Sequence, residues 1–237
     1  ILIEECREMK LDVLPPDVNR SGYQFRAGDD GEVIYGLGAI KGVGRAAIDI
    51  IIAERENGPY RSLDEFCERV DMSRANKKVM EALVSGGAMD CFSTNRAALM
   101  KHLPYALQSA DQVQRNLDAG MIDLFAMEPS ETEVKPLPEA VPWDEKTRLM
   151  NEKDSLGLFL TGHPIELYEK EIRQIVSMNL GQWHEKLDTP EGASNGFRRK
   201  KDEDATVVGL VIGIRTRNGF KGREVFVTLD DRSGRID

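Results

Sequence analysis

Two glycines one residue apart, Gly42 and Gly44, flank Val43 and stand between Lys41 and Arg45. Glycine reaches positive φ and lets backbone come close to a ligand, so the pair permits a tight hairpin. A helix is expected from Arg45. The first amides of a helix have no intrahelical acceptor and carry the positive end of its dipole, and a phosphate is the natural occupant of that mouth. Lys41 adds a point charge, Arg45 lies one residue past the hairpin, and Val43 is placed to anchor the turn in a core. The chemistry is therefore anion binding through backbone donors. An ordinary glycine turn competes with it, but Leu37 and Ile40, in place beside Val43, favour the phosphate-binding arrangement.

A weaker version of the pattern spans Asn76 to Ala88. Lys77 and Lys78 open a helical stretch that closes at Gly86-Gly87, and from Arg74 to Lys101 five bases stand against two acids. Both a second phosphate contact and a solvated helix with a glycine cap fit, because Ala88 stands where the second hairpin glycine would be. A different chemistry belongs to Met121-Ile122-Asp123-Leu124-Phe125. Leu124 and Phe125 are adjacent apolar residues beside an acidic, polar stretch. They are candidates either to fill a partner's hydrophobic pocket or to pack on their own domain.

Other reactive residue types form no defensible constellation. Carboxylates are plentiful, but none is arranged as a two-metal site, so no catalytic residue, metal site or cofactor is expected. Cys6, Cys67 and Cys91 are odd in number and widely spaced, which implies neither metal ligation nor a disulfide framework and suits a reducing cytoplasm. Cys91 is expected as a buried small hydrophobe. His163, before Pro164, belongs to a turn, and His102 and His184 have no evident catalytic setting.

The elements that must position these residues follow from periodicity. The chain has 237 residues with 41% hydrophobic content, enough for one large or two modest domains. Its formal charge is −9, which argues against indiscriminate phosphate binding. Between Asp111 and Glu145, however, nine acids meet two bases, so most of that charge is local and basic patches can exist elsewhere. No secretory signal and no membrane-length apolar run occurs. The chain begins at Ile1 and ends at Asp237 within a strand-like pattern, and both ends are expected to continue into something larger.

A helix is expected over Ile1–Met9, then an extended stretch over Leu11–Val18 confined to an edge or connector by Pro15-Pro16. Residues 33–103 read as mostly helical: Ile48, Ile51 and Ile52 at helical spacing, a stop at Asn57-Gly58-Pro59, and a capping box from Ser62 to Glu65. A separate helix is expected over Tyr105–Leu117, an exposed linker over Glu128–Pro142, and helices over 143–176 broken at Thr161–Pro164. From Thr206 the period changes to two, with turns at Asn218-Gly219 and Asp230–Gly234, a β-meander pattern.

Taken together, the chain resembles the alpha subunit of bacterial DNA polymerase III, in its C-terminal half. Leu14–Asn19 is similar to that family's segment after the fingers, and Tyr35–Gly44 to its helix-hairpin-helix core. Leu156–Pro164 is similar to its connecting helix and turn, and Val227–Arg235 to the early strands of its OB-fold. The implied fold is α+β: a mainly helical tandem helix-hairpin-helix domain followed by a truncated OB-fold β-barrel. The implied layout is a connector over 1–32, a helix-hairpin-helix and clamp-binding domain over 33–142, connecting helices over 143–204, and the start of the OB-fold over 205–237. The resemblance implies a non-catalytic part of a DNA-directed DNA polymerase in the cytoplasm, whose palm carboxylates lie upstream of this chain. Its partners would be duplex DNA through Lys41, Gly42, Val43, Gly44, Arg45, Lys77 and Lys78, and the beta sliding clamp through Met121–Phe125. Single-stranded DNA at Phe220, Lys221, Arg223 and Phe226 of the OB segment, a basic run at Arg198–Lys201, and other holoenzyme subunits complete the set. Met121 stands where the family has Gln, and a thioether cannot make the hydrogen bonds of an amide, so weaker clamp binding or an adapted pocket is expected. A helix-hairpin-helix repair enzyme and a pure interaction scaffold are the alternatives. The first would need a catalytic Lys and Asp in a base-sized pocket, and no such pair can be nominated.

Overall fold

The computed structural model describes residues 5–6, 9–118, 136–188, 204–219 and 222–236. It divides into two compact units, Ile1–Thr161 and Gly162–Asp237. Most of the expected N-terminal helix lies outside the described residues; Glu5 and Cys6 are helical.

The first unit opens with a small three-stranded sheet. Strands β1 (Val13–Leu14), β2 (Arg26–Ala27) and β3 (Val33–Ile34) lie in the order β1-β3-β2, with β1 parallel and β2 antiparallel to β3. Pro15 ends β1, which is an edge strand as the proline pair requires. A single 3-10 turn over Leu37–Ala39 follows, then α1 (Arg45–Glu54), α2 (Leu63–Arg69), α3 (Lys77–Ser85), α4 (Arg96–Asp118) and α5 (Glu145–Leu156). Only this one turn precedes the hairpin in a region read as mostly helical; Gly36 caps it and Gly38 lies within it, and glycine is a poor helix former.

Local chemistry sets most boundaries. After α1 a 3-10 turn over Arg55–Asn57 runs to Gly58, whose φ of +119° only glycine takes easily. Ser62 Oγ accepts the Glu65 amide at 3.1 Å, but the Glu65 carboxylate turns back to the Arg61 amide rather than to that of Ser62. The capping box is therefore displaced by one residue on its return arm. The separate helix expected from Tyr105 is part of one helix from Arg96 to Asp118, with Pro104 inside it. A mid-helix proline removes a ladder bond and costs roughly 3 kcal/mol. Here Leu99, Leu103, Ala106 and Ala110, all buried on one face across that proline, offset the loss.

One core joins these elements. Val18 after β1, Tyr35 after β3, and Leu37, Ile40 and Val43 of the turn and hairpin pack with Ile48 and Ile51 of α1, Phe66 of α2 and Met80 and Leu83 of α3. Leu99 and Leu103 of α4 and Leu156 of α5 complete it. Cys67 is buried, whereas Cys91 is exposed and receives a hydrogen bond from the Asn19 amide at 3.7 Å, so the burial expected of Cys91 belongs to Cys67. Burial, with Asp64 and Glu68 nearby, pushes the Cys67 thiol up to about 12.

The second unit holds a 3-10 segment (Pro164–Tyr168), α6 (Glu169–Ile175), α7 (Leu180–Asp188) and an antiparallel meander of β4 (Leu210–Gly219), β5 (Gly222–Asp230) and β6 (Arg235–Ile236). Helix α7 falls within the connecting helices expected over 143–204 but beyond the 143–176 stretch whose periodicity reads as helical; Asn179 and Gln182 form a reciprocal capping box at its start. A register shift between Val211 and Gly213 inserts Ile212 as a bulge. The period-two alternation therefore breaks, and Val211 and Ile214 share one face, both exposed, with Val225 and Val227. The three strands form an open sheet that is not closed into a barrel, compatible with a truncated OB-fold.

Candidate nucleic-acid interface

The hairpin is a hydrogen-bonded turn. The Val43 amide donates to the Ile40 carbonyl at 3.2 Å, and Gly42, third of the four turn residues, has φ +84°. A turn with positive φ only at its third position is type II, which favours glycine there. Val43 is 7% exposed and belongs to the core, while Lys41, Gly42, Gly44 and Arg45 are exposed. The hydrophobic residue holds the turn down and both glycines face outward.

Gly44 is the N-cap of α1, with φ −77° and ψ 154°. Any residue can adopt that conformation, and a Cβ built on Gly44 meets nothing within 4 Å. Neither backbone strain nor internal packing accounts for a glycine at this position. Its carbonyl accepts the Ala47 and Ile48 amides at 3.1 and 3.2 Å. Among the described residues no acceptor meets the amides of Gly42, Gly44, Arg45 or Ala46, so four donors cluster at one mouth.

The hairpin base is fixed from beneath. The Lys41 amide donates to the Ser155 carbonyl at 2.8 Å, and the Lys41 stem passes over Gly157, the left-handed cap of α5. The Lys41 ammonium thus sits near the negative end of a helix dipole, and among the described residues no carboxylate pairs with it. Arg45 is half engaged: its guanidinium lies 3.6 Å from Asp49 and 4.9 Å from the centre of the Tyr23 ring.

The Gly86-Gly87 turn is built differently. Both glycines are buried, the Gly87 amide donates to Val84 and the Ala88 amide to Leu83, the two bonds of a Schellman cap. A Cβ on Gly87 would lie 2.3 Å from the Arg96 guanidinium. The donors of this turn are consumed internally, so of the two arrangements the sequence allowed it is the helix cap. Lys77 and Lys78 lie in the first turn of α3, exposed, with Lys77 3.7 Å from Glu81. Asn76 caps that helix by accepting the Lys78 and Val79 amides.

Beneath both turns lies a polar cluster that sequence reasoning missed. Glu152, fully buried, accepts the Leu160 and Thr161 amides at 2.8 and 2.9 Å and the Thr161 hydroxyl at 2.8 Å. Arg96, 4% exposed, lies 3.5 Å from Glu152 and donates to Asp90 at 2.6 and 2.8 Å. This network ties α5 and the segment after it to the end of α3. In the second unit His163 Nδ1 accepts the Ile165 amide, and Nε2 lies 3.2 Å from the Asp230 carboxylate. Burial pushes the Asp230 carboxyl up, but His163, the Arg232 amide and Arg235 together hold it well below the usual carboxylate range. The turn role expected for His163 is thus joined by a contact with the Asp230 carboxylate.

Met121, Ile122, Asp123, Leu124 and Phe125 lie outside the described residues, as do Arg198–Lys201, Phe220 and Lys221. On the meander, Phe226 pairs with Arg215 and Arg223 with Asn218 across β4 and β5, all exposed. Among the described residues no group of three or more His, Cys, Asp or Glu is placed to hold a metal ion, and no helix is long and apolar enough to cross a membrane.

Residues 10–99 match the helix-hairpin-helix motif family, a span that contains the hairpin just described. The whole chain is 41% identical to DNA polymerase III subunit alpha of Pseudomonas aeruginosa, 40% to that of Vibrio cholerae and 40% to that of Escherichia coli K12. In each comparison 100% of this chain aligns with 20% of the relative, so it spans about a fifth of their length. A glycine hairpin with open donors, within a helix-hairpin-helix match and inside a chain that aligns end to end with one protein family, identifies the sequence as related throughout to a single stretch of DNA polymerase III subunit alpha.

Proposed function

We propose that this chain is a non-catalytic stretch of a replicative DNA polymerase alpha subunit that holds duplex DNA by its backbone. The observation that carries the reading is the exposed hairpin mouth, in which the Gly42, Gly44, Arg45 and Ala46 amides lack internal acceptors among the described residues and the exposed Lys41 belongs to the same turn. Backbone amides and one flanking cation recognise a phosphate wherever it lies along the strand, so the grip would be independent of base sequence. That property suits an element that must travel with a polymerase. The glycine at 44, unneeded by the fold, is explained by a sugar-phosphate strand seated where a side chain would stand.

The same reading gives Met121–Phe125 the role of a clamp peptide, with Leu124 and Phe125 as its anchors. It gives Phe226, Arg215 and Arg223 a role beside single-stranded DNA, where an aromatic face and nearby guanidinium groups suit base stacking and backbone contact. On this reading the chain works beside other holoenzyme subunits in the cytoplasm, and polymerisation is the activity of the whole subunit rather than of this stretch.

Duplex affinity measured by fluorescence anisotropy across a salt series tests the hairpin. Each phosphate contact contributes a slope of about 0.9 in log K against log salt. Lys41→Glu is expected to weaken binding and flatten the slope; affinity indifferent to both salt and Lys41→Glu would leave a scaffold instead. Clamp binding is tested separately by titrating the organism's own beta clamp against the chain and its Phe125→Ala variant, which is expected to lose binding with the fold intact.

A further inference from the structure

The segment just before β2 is sealed against the hairpin. The Leu37 amide donates to the Gly22 carbonyl and the Gly38 amide to the Tyr23 carbonyl, both at 2.9 Å. A Cβ on Gly36 would lie 2.6–2.7 Å from the Tyr23–Phe25 backbone, and one on Gly38 would lie 2.7 Å from the Tyr23 carbonyl oxygen and 2.9 Å from its ring. The glycines at 36 and 38 are therefore what let this strap lie flush on the turn that precedes the hairpin. Its side chains are not drawn into the core, for Tyr23 is 37% exposed. The face of its ring is instead covered by the Arg45 guanidinium, 4.9 Å from the ring centre.

From this we infer that Tyr23 is a positioning residue of the hairpin, holding Arg45 at the mouth as a second cationic contact for the same phosphate strand. The inference rests on the reading proposed above. An arginine that is largely exposed, at the first position of a helix, would otherwise sample many rotamers and lose entropy on binding. Asp49, one turn along the helix, restrains the guanidinium from one side, and the Tyr23 ring restrains it from another. A cation held over a ring keeps its edge donors free, so the restraint does not consume the groups a phosphate would use. Lys41 and Arg45 then approach the strand from opposite ends of the hairpin.

The test is a mutant cycle on the full chain, with duplex DNA as the probe and anisotropy over a salt series as the readout. Tyr23→Phe keeps the ring and should bind within about twofold of the unsubstituted chain. Tyr23→Ala and Tyr23→Leu should each weaken binding by about two- to fivefold, the scale of an exposed cation–π contact, and should flatten the salt slope as Arg45→Ala does. In the Arg45→Ala background neither should cause further loss. The leucine variant keeps bulk at the site, so a packing defect confined to the alanine variant would overturn the inference, as would additive losses or unchanged affinity in both. If Lys41→Glu also leaves binding untouched, the phosphate-gripping hairpin falls with it; if Lys41→Glu weakens binding while the Tyr23 variants do not, only the positioning role falls.

Discussion

Gly44→Ser separates what the fold needs at the hairpin from what a DNA strand needs. The site has N-cap geometry, with φ −77° and ψ 154°, and a Cβ there meets nothing within 4 Å. Serine at an N-cap accepts an amide of the first turn and exceeds glycine there by a few tenths of a kcal/mol. Losing glycine also narrows the unfolded ensemble, a gain of roughly 0.4–1 kcal/mol. The variant should therefore be about 0.5–1.5 kcal/mol more stable in urea unfolding. Duplex binding should move the other way: the serine oxygen takes a donor meant for the phosphate, and its Cβ stands in the path of the strand. A hydrogen bond to a charged group is worth roughly 1.5–3 kcal/mol, so affinity should fall roughly 10- to 150-fold. Gly42→Ala is the control, because its φ of +84° makes alanine strained by roughly 1–2 kcal/mol, which lowers stability first. A Gly44→Ser protein that is stabilised and still binds duplex within twofold would refute the assignment of these amides to a phosphate.

Glu152→Ala removes the acceptor of three hydrogen bonds and leaves Arg96 short of a buried partner; breaking such a pair costs roughly 3–5 kcal/mol, to be read as a lower urea midpoint at unchanged m-value. The Asp230 carboxyl is held below its unfolded range by His163, the Arg232 amide and Arg235, despite its burial. Its contribution is thus fully present above pH about 4 and lost as pH falls through the folded value, so Asp230→Asn should flatten the acid limb of stability in melts below pH 4. Tyr60 is pushed up to about 12 by burial and donates its hydroxyl proton to the Ile51 carbonyl at 2.8 Å. Stability should fall between pH about 10 and 12, where the unfolded phenol ionises and the folded one does not, and Tyr60→Phe should remove that part of the decline.

The hairpin was legible because its information is local. A turn with one left-handed position, a hydrophobic anchor and a following helix are all written within Leu37–Ile48, and the structure places Val43 in the core with the glycines outside. The Gly86-Gly87 pair shows where that legibility stops. Its sequence suits a hairpin or a cap equally, and the choice was made by Arg96, nine residues on, whose guanidinium occupies the space beside Gly87. The separate helix expected from Tyr105 failed for the reverse reason: a proline at 104 favours a break locally, while buried residues on both sides of it carry one helix through.

The resemblance added the α+β class, and periodicity and turn chemistry were sufficient for the position of α1, the edge strand before Pro15-Pro16 and the meander near the end of the chain. Each depends on residues within a few positions of one another, where backbone sterics and hydrophobic phase decide. Tertiary structure alone decided that Glu152 meets Arg96, that His163 meets Asp230, and that Tyr23 lies under Arg45. Those pairings join residues 22 to 67 positions apart, and side chains of ordinary type acquire such partners only when packing brings their elements together.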